Sequence, residues 1–292
     1  MPGGAAAITS KVKMNSCRVS SPDAMATDYV LGTALRDWRL HRRRSQMQLA
    51  DDMGVSTRHL SFVENGRARP SREMLMRLFE LLDVPVRERN ALLLGAGFAP
   101  AYSAAPMSDP SLEAVRAAMR LMLNGLEPSP ALAVDRHWNL VDANRPARQL
   151  MGGVAPSLLQ GAVNVLRISL HPQGLAPQIA NLAEWRGYVL RRLAHDIDRT
   201  KDPVLVELRN ELAGYEAHLK DSQRTGVKED AGGELPIVVP LRLRTPLGEL
   251  SFLSATTVFG SALNVAAAEL AIETFLPADA ATREVLQQMA KA

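Results

Sequence analysis

The chain has 292 residues, which is enough for two modules of ordinary domain size. A hydrophobic content of 47% with 22% charged residues excludes a largely disordered chain and is typical of a globular protein with a sizeable core. The longest apolar candidate, Ala262 to Ile272, is interrupted by Glu269 and is too short for a bilayer, and no secretory signal is evident. The single cysteine, Cys17, has no partner for an internal disulfide, so we expect a cytoplasmic protein that does not contact membranes.

The first 97 residues predict a tail followed by an all-α domain. Residues 1–27 are rich in Gly, Ala, Ser and Pro without periodicity, which predicts a disordered tail. Apolar residues at helical spacing then predict a first helix over 28–43. Two short helices follow, each preceded by a serine that can cap it, Ser45 and Ser56. With helices predicted over 72–82 and 86–94, residues 28–97 form a five-helix domain.

The pair of short helices has the pattern of a helix-turn-helix. Gly54 lies between them, where a helix C-terminus favours a residue that tolerates positive φ. One set of apolar residues packs the two helices together: Leu49, Ala50, Met53, Val55, Leu60 and Val63. The opposite face of the second helix is left with Thr57, Arg58, Ser61 and Phe62. Such an arrangement presents a helix to the major groove of DNA.

Charge favours DNA binding over a plain helical hairpin with the same apolar spacing. The whole chain carries a net charge of only +3, whereas the segment from Arg36 to Arg72 alone carries +5. This excess comes from nine arginines (36, 39, 42, 43, 44, 58, 67, 69 and 72) against four acids (37, 51, 52 and 64). A local basic excess is the electrostatic signature of a phosphate-binding surface.

Individual DNA contacts follow from how a recognition helix enters the groove. Its N-terminal residues approach base edges first, and Arg58 can donate to O6 and N7 of guanine. Phe62 fits apolar contact with a thymine methyl group, although an inward core position is the alternative. Residues at the helix ends and the following loop are predicted to contact phosphates. The full candidate set is Gln46, Ser56, Thr57, Arg58, Ser61, Phe62, Arg67 and Arg69.

Residues 98–110 contain three prolines and are predicted as a linker to a second domain over 111–292. In that domain a strand, a turn, a second strand and a helix capped by Asn144 follow one another, as at the start of a PAS fold. We expect an α+β protein whose second domain has an antiparallel sheet with helices on one side and an apolar pocket. The predicted helices are 112–126, 177–199, 203–218 and 279–290, and the predicted strands are 131–135, 139–142, a hairpin over 237–245 and 249–259, and 270–275.

Candidate chemistry in the second domain is sparse. The six histidines never lie four residues apart and no cysteine joins them, so no metal site is predicted. No GxSxG motif occurs, and the GxG at Gly95 to Gly97 follows no strand. Haem and flavin are alternatives that PAS-like pockets allow, but neither an axial histidine nor a glycine-rich phosphate loop stands out. No cofactor is predicted beyond a suspected apolar ligand.

A ligand pocket is predicted around the segment NVLRISLHP and the helix after it. Arg167 or His171 would pair with a ligand carboxylate, and apolar neighbours would enclose an alkyl chain. The alternative is that Asn164 and His171 satisfy turn backbone while Arg167 is a surface charge. The candidate ligand-binding residues are Asn164, Leu166, Arg167, Ile168, Leu170, His171, Trp185, Arg186 and Val189.

Several of these motifs are shared with a known family. Residues 35–84, with Gln46, Leu49-Ala50, Glu64-Asn65-Gly66 and Pro70-Ser71, resemble the XRE-type (lambda-repressor-like) helix-turn-helix domain. RHLSFVENGRARPSREM and VPVRERNALLLGAGFAPAY resemble the narrower group that carries an MmyB-like ligand-binding domain. That second domain resembles the chain at PMSDP, PSPALAVDRHWNLVDAN and NVLRISLHPQGLAPQIANLAEWR. The resemblance covers about residues 29 to 276.

The resemblance implies a transcription regulator and not an enzyme, with a double-stranded DNA operator and a fatty-acid-like effector as partners. It also implies that Arg39 pairs with Glu64 in a structural role. A homodimer is expected, because one module contacts only half of an operator. Two other classes stay open at this point: an enzyme acting on an acyl substrate in the same pocket, and a constitutive DNA-binding protein whose second domain only dimerises.

Overall fold

A computed structural model describes residues 22–215, 239–259 and 264–291, with side chains from residue 30 onward. The chain divides into two compact units, Met1–Ala101 and Tyr102–Ala292. Within its described residues the first unit is entirely helical, and the second contains an antiparallel sheet with helices. The predicted α+β class with a PAS-like sheet and flanking helices is confirmed.

The five predicted helices of the first unit are present. The first begins at Pro22, six residues before the predicted start, while residues 1–21 of the predicted tail lie outside the described residues. The helices are α1 (Pro22–His41), α2 (Gln46–Met53), α3 (Thr57–Glu64), α4 (Arg72–Leu81) and α5 (Val86–Gly95). One apolar core joins them, including Leu35, Leu49, Leu60, Leu78 and Leu93.

The helix-turn-helix forms as its caps predict. The Ser45 hydroxyl accepts a hydrogen bond from the amide of Gln48, whose side chain in turn accepts from the amide of Ser45. Gly54 ends α2 with φ +67°, a conformation that costs a residue with a side chain more than glycine. The Ser56 hydroxyl accepts from the amide of His59 and caps α3. These caps fix where α3 begins, and therefore which residues form its exposed first turn.

The boundary between the two units, after Ala101, falls within the predicted linker 98–110. Phe98 packs against the core of the first unit, and the amide of Ala101 donates to Asn90 Oδ1 at 3.0 Å. In the second unit, Ser103 bridges Asn264. The three prolines therefore mark an irregular segment whose first part packs on the first unit and whose later part bridges within the second.

The second unit is built on a five-stranded antiparallel sheet of order β2-β1-β5-β4-β3 within the described residues. Its strands are β1 (Ala131–Val134), β2 (Leu140–Ala143), β3 (Leu241–Thr245), β4 (Gly248–Val258) and β5 (Ala271–Pro277). The predicted hairpin is β3 and β4, with Leu241 opposite Phe252; predicted residues 237–238 lie outside the described ones. The helices are α6 (Glu113–Gly125), α7 (Arg145–Leu150), α8 (Val165–Leu170), α9 (Leu182–Thr200), α10 (Pro203–Gly214), α11 (Val265–Ala268) and α12 (Ala280–Lys291).

Helices cover both faces of the sheet at its centre, and not one face as expected. Leu132 and Val134 of β1 face the larger core, which α7 to α10 and α12 share. Ala131 and Ala133 face a smaller core with Met119 of α6. Because alternate residues of a strand point to opposite faces, β1 is buried at all four positions.

Two helices differ from their predicted bounds. The helix predicted over 177–199 begins only at Leu182, because Ile179 bridges Leu243 at the edge of β3. The short helix α8 was not predicted, since six residues are too few for a periodic pattern. The helix predicted to reach 218 ends at Gly214, and residues 216–218 lie outside the described ones.

Candidate functional site

The outer face of α3 presents the residues that the sequence predicts for DNA. Thr57 and Arg58 are exposed at its first turn, and Ser61 and Phe62 are half-buried one turn later. Ser56 is exposed, but its hydroxyl oxygen already caps the helix. Leu60 and Val63 lie on the opposite side, in the core of the unit. The amphipathic pattern of α3 thus separates a packing face from a polar and aromatic face.

Arg58 and Phe62 contact each other on this face. The guanidinium carbon of Arg58 lies 5.3 Å from the centre of the Phe62 ring, one helical turn away. Phe62 is not among the buried core residues, so the alternative of an inward core phenylalanine is wrong. The ring covers part of the arginine side chain and restricts the positions that its guanidinium samples.

A buried ion pair anchors α3 to α1. Arg39 Nε donates to Glu64 Oε1 at 2.6 Å, and Arg39 Nη2 donates to Glu64 Oε2 at 2.8 Å. Gln46 Nε2 also donates to Glu64 Oε2, at 2.7 Å. The structure therefore gives Gln46, at the first turn of α2, a structural partner, and its phosphate contact stays a prediction.

The remaining arginines of the basic segment divide into two groups. Arg67 is exposed, and its side chain has no partner among the described contacts. Arg69 donates to the carbonyl of Ala96 at 3.3 Å. Arg42 donates to the carbonyl of Leu82 at 2.8 Å, so part of the basic excess holds helices together. Of the two predicted loop contacts, Arg67 is the freer to reach a phosphate.

The second unit contains a cavity of about 90 Å³ between its sheet and helices α7 to α9. Most of its walls are aliphatic or aromatic. The apolar lining includes Leu132, Trp138, Leu150, Met151, Val165, Leu166, Ile168, Leu175, Trp185, Val189, Leu241, Phe252 and Phe275. The polar side chains in its lining are Ser169, Tyr188, Arg192, Ser254 and Glu273.

Four of the nine predicted ligand residues line this cavity: Leu166, Ile168, Trp185 and Val189. The other five do not, and each has another partner. Leu170 packs in the larger core, and Arg186 donates to the carbonyl of Ala213 at 2.7 Å. Being close in sequence to a cavity-lining residue did not mean that a side chain faces the cavity. Successive side chains of α8 point about 100° apart, so its neighbouring residues face different sides.

Asn164 and His171 satisfy the two ends of α8. Asn164 is buried, accepts from the amides of Leu166 and Arg167, and donates to the carbonyl of His137 at 2.8 Å. His171 Nδ1 accepts from the amide of Gln173 at 3.0 Å. The alternative interpretation, in which both residues satisfy local backbone, is the one that the structure supports.

Arg167 lies outside the cavity and already has an anionic partner. Its Nε and Nη2 donate to Glu211 at 2.7 to 3.0 Å. Their hydrogen bond lowers the pKa of Glu211 and raises that of Arg167, in each case against the effect of burial. Tyr215 also donates to Glu211, and burial followed by that bond raises the pKa of the Tyr215 hydroxyl. A ligand carboxylate would have to displace Glu211 to use Arg167.

The charged groups that do line the cavity are Arg192 and Glu273, which the sequence analysis missed. Arg192 Nη1 and Nη2 donate to the two oxygens of Glu273 at 3.0 and 2.6 Å. Arg192 Nη2 also donates to the hydroxyl of Thr256 at 2.6 Å. The guanidinium lies over Trp138, 4.5 Å from the ring centre.

Burial of this pair shapes its electrostatics. The Glu273 side chain is 4% exposed and that of Arg192 is 24% exposed. Burial alone would lower the pKa of Arg192, but the hydrogen bond and charge of Glu273 outweigh it and raise that pKa. The sequence carries one signal for this site: Arg192 is two helical turns after Trp185 on α9, and therefore on the same face.

Three further contacts order the cavity wall. Trp185 Nε1 donates to the hydroxyl of Ser169 at 2.8 Å, and its ring stacks on Tyr188 with centres 5.2 Å apart. The hydroxyls of Tyr188 and Ser254 are 3.2 Å apart. These polar atoms satisfy one another in pairs, so the wall remains compatible with an apolar occupant.

In the part of the chain that the structure covers, no group of three or more His, Cys, Asp or Glu side chains is placed to hold a metal ion. No helix in those same ranges combines the length and apolar character needed to cross a membrane.

These features define a class of protein, namely a helix-turn-helix module joined to a domain with an apolar cavity. Residues 30–92 match the family model of a helix-turn-helix domain, and residues 115–289 match that of the MmyB-like transcription regulator ligand binding domain. The second match spans more than half of the chain, which therefore belongs to the family of MmyB-like transcription regulators. Both domains are those of regulators and not of enzymes.

Two solved structures are similar to parts of the chain. The clp gene regulator ClgR from Corynebacterium glutamicum is 27% identical, with a TM-score of 0.22, over 35% of this chain and 90% of its own. An RNA-binding light-oxygen-voltage receptor is 14% identical, with a TM-score of 0.24, over 92% of this chain and 65% of its own. Scores this low do not establish a shared overall fold. No curated protein gave a significant match.

Proposed function

We propose that this DNA-binding transcription regulator recognises a specific operator sequence through α3 and responds to a small, apolar, fatty-acid-like effector held in the cavity of its second domain. It acts in the cytoplasm as a homodimer. The observation that carries the proposal is the pairing of an exposed recognition surface in one unit with an enclosed apolar cavity in the other.

The exposed face of α3 supports sequence-specific recognition. Thr57 and Arg58 lie at its N-terminal turn, which a helix-turn-helix places nearest to base edges. Arg58 offers two parallel donors for guanine, and Phe62 offers an apolar surface for a thymine methyl group. Arg67, Arg69 and Gln46 would contact phosphates, which sets affinity rather than sequence preference.

The cavity supports an apolar effector. Its lining is mostly aliphatic and aromatic, and Arg192 and Glu273 are the charged side chains among the described lining residues. A volume of about 90 Å³ is smaller than the ~300 Å³ or more of typical ligand sites, so a hydrocarbon chain of any length requires side chains to move apart. Effector binding therefore changes the packing of α8 and α9, which gives the two states distinct structures.

Regulation requires that the effector bind one of these states more tightly than the other. In a homodimer, the effector would change the relative orientation of the two DNA-binding units through α6 or the segment before it. Two-fold pairing also matches the two half-sites of an operator and multiplies specificity.

The experiment that tests this function is selection of random duplexes by the full-length protein, combined with mass spectrometry of the ligand that co-purifies with it. We expect enrichment of a two-fold symmetric sequence and an acyl-chain compound in the protein. Equal binding to all duplexes would contradict sequence-specific recognition and favour a constitutive DNA-binding protein. A purely polar co-purifying compound would contradict the apolar effector.

A further inference from the structure

The head group of the effector can be inferred from the charged wall of the cavity. Arg192 and Glu273 are the charged residues in the described lining, and they already form a bidentate pair. The other polar groups of the lining already satisfy one another, Ser169 with Trp185 and Tyr188 with Ser254. The polar end of an apolar ligand is therefore expected beside the charged pair. The charge state of the pair therefore selects the charge of the ligand.

The pair is electrically neutral as a unit. Each oxygen of Glu273 accepts from Arg192, and Oε1 also accepts from the hydroxyl of Thr256 at 2.7 Å. Glu273 is nine-tenths or more buried, so little water screens its charge. A carboxylate ligand placed at Arg192 would stand within a few ångströms of the Glu273 carboxylate in a medium of low dielectric constant, where like charges repel strongly.

An uncharged acceptor meets no such repulsion. A guanidinium has five N–H groups, and the contacts of Arg192 with described residues engage only three hydrogens. Stacking on Trp138 holds its plane and leaves donor capacity for one carbonyl oxygen. A polar group that brings no charge can accept from Arg192 without displacing Glu273.

We infer that the effector carries an uncharged carbonyl head, such as an amide, ester, ketone or lactone, and that a free carboxylate is disfavoured at this site. The inference rests on the proposed apolar effector and keeps its acyl chain, but it replaces the free carboxylate head of a fatty acid by an uncharged carbonyl. Glu273 is the residue that determines the selectivity, because it occupies the position at Arg192 that a ligand carboxylate would need.

The test compares octanamide with octanoate, which share one hydrocarbon chain, by calorimetric titration of the full-length protein at pH 8. We expect octanamide to bind at least about tenfold more tightly than octanoate. In Glu273→Gln the carboxylate is removed, and octanoate should gain at least about tenfold in affinity. The matched control is Glu249→Gln, which removes the carboxylate of an exposed ion pair with Arg242 outside the cavity lining and should keep the wild-type preference.

The outcomes separate this inference from the function on which it rests. Octanoate binding as tightly as octanamide to the wild type would overturn the uncharged head alone, as would a folded Glu273→Gln variant with an unchanged ratio. Binding of neither compound would overturn the apolar effector and the inference with it. If Glu273→Gln does not fold, the ratio measured on the wild type decides.

Discussion

Arg39 and Glu64 form a bidentate ion pair that is almost completely buried, with side chains 7% and 1% exposed. The pair joins α1 to the last residue of α3, and Gln46 completes it from α2. Arg39 also donates to the carbonyl of Arg44 at 2.9 Å. One buried charge pair therefore holds together the three helices on which the orientation of the exposed face of α3 depends.

We predict that Glu64→Ala lowers the free energy of unfolding by about 3–5 kcal/mol, because it leaves the Arg39 guanidinium buried without its anion. The control is Asp52→Ala, which breaks a more exposed pair with Arg44 and should cost no more than about 1 kcal/mol. Urea unfolding of both variants checks the difference. Equal losses would contradict the special role of the buried pair.

The close approach of α1 to α3 gives a second prediction. A Cβ atom at Gly32 would lie 2.5 Å from the carbonyl oxygen of Val63 and 2.6 Å from that of Glu64. Gly32→Ala must therefore push α3 away and should destabilise the protein by about 1–3 kcal/mol. Gly125→Ala is the matched control, since nothing lies within 4 Å of its added Cβ, and it should be neutral within about 1 kcal/mol. Thermal unfolding of the two variants checks this difference. Similar melting temperatures for Gly32→Ala and Gly125→Ala would contradict the close approach of α1 to α3 at this position.

The ion pair of Glu211 with Arg167 predicts a pH effect. The hydrogen bond from Arg167 holds the pKa of Glu211 below its ordinary value of 4.5. The pair therefore adds stability above that value, and this contribution is lost as the pH falls through the lowered pKa. Because both side chains are more than a third exposed, we expect no more than about 1 kcal/mol.

Urea unfolding of Glu211→Gln and the wild type at a series of pH values tests this effect. The variant should be less stable at pH 7, and the difference should disappear between about pH 5 and pH 3. Glu284→Gln on the exposed face of α12 serves as the control and should show no such convergence. A difference that grew on acidification would contradict the assigned direction of the pKa.

The sequence predicted the first unit more fully than the second for a physical reason. Serine caps, Gly54 and the spacing of apolar residues act within one or two helical turns, so the bounds of α2 and α3 follow from local chemistry. The exposed positions of Thr57 and Arg58 then follow from helical geometry alone. The boundary between the two units lies within the proline-containing segment 98–110, but prolines report backbone conformation and not whether a segment packs.

The cavity depends on contacts that no local pattern contains. Arg192 and Glu273 are 81 positions apart and meet only because α9 packs across β5. Conversely, Arg167 and His171 are adjacent to cavity residues in sequence, yet Glu211 and the backbone of Gln173 engage them elsewhere. Proximity in sequence located the region of the cavity, while the identity of its polar groups required the tertiary structure.

Whether α3 reads base sequence is tested most directly by comparing Arg58→Ala with Arg67→Ala. The two variants are measured against a panel of operator duplexes in which each position is substituted in turn. Arg58→Ala should remove about 1–3 kcal/mol of discrimination at one or two positions. Arg67→Ala should weaken all duplexes alike and reduce the salt slope by about 1. Uniform weakening by both variants, with every base preference intact, would contradict the assignment of α3 as the recognition helix.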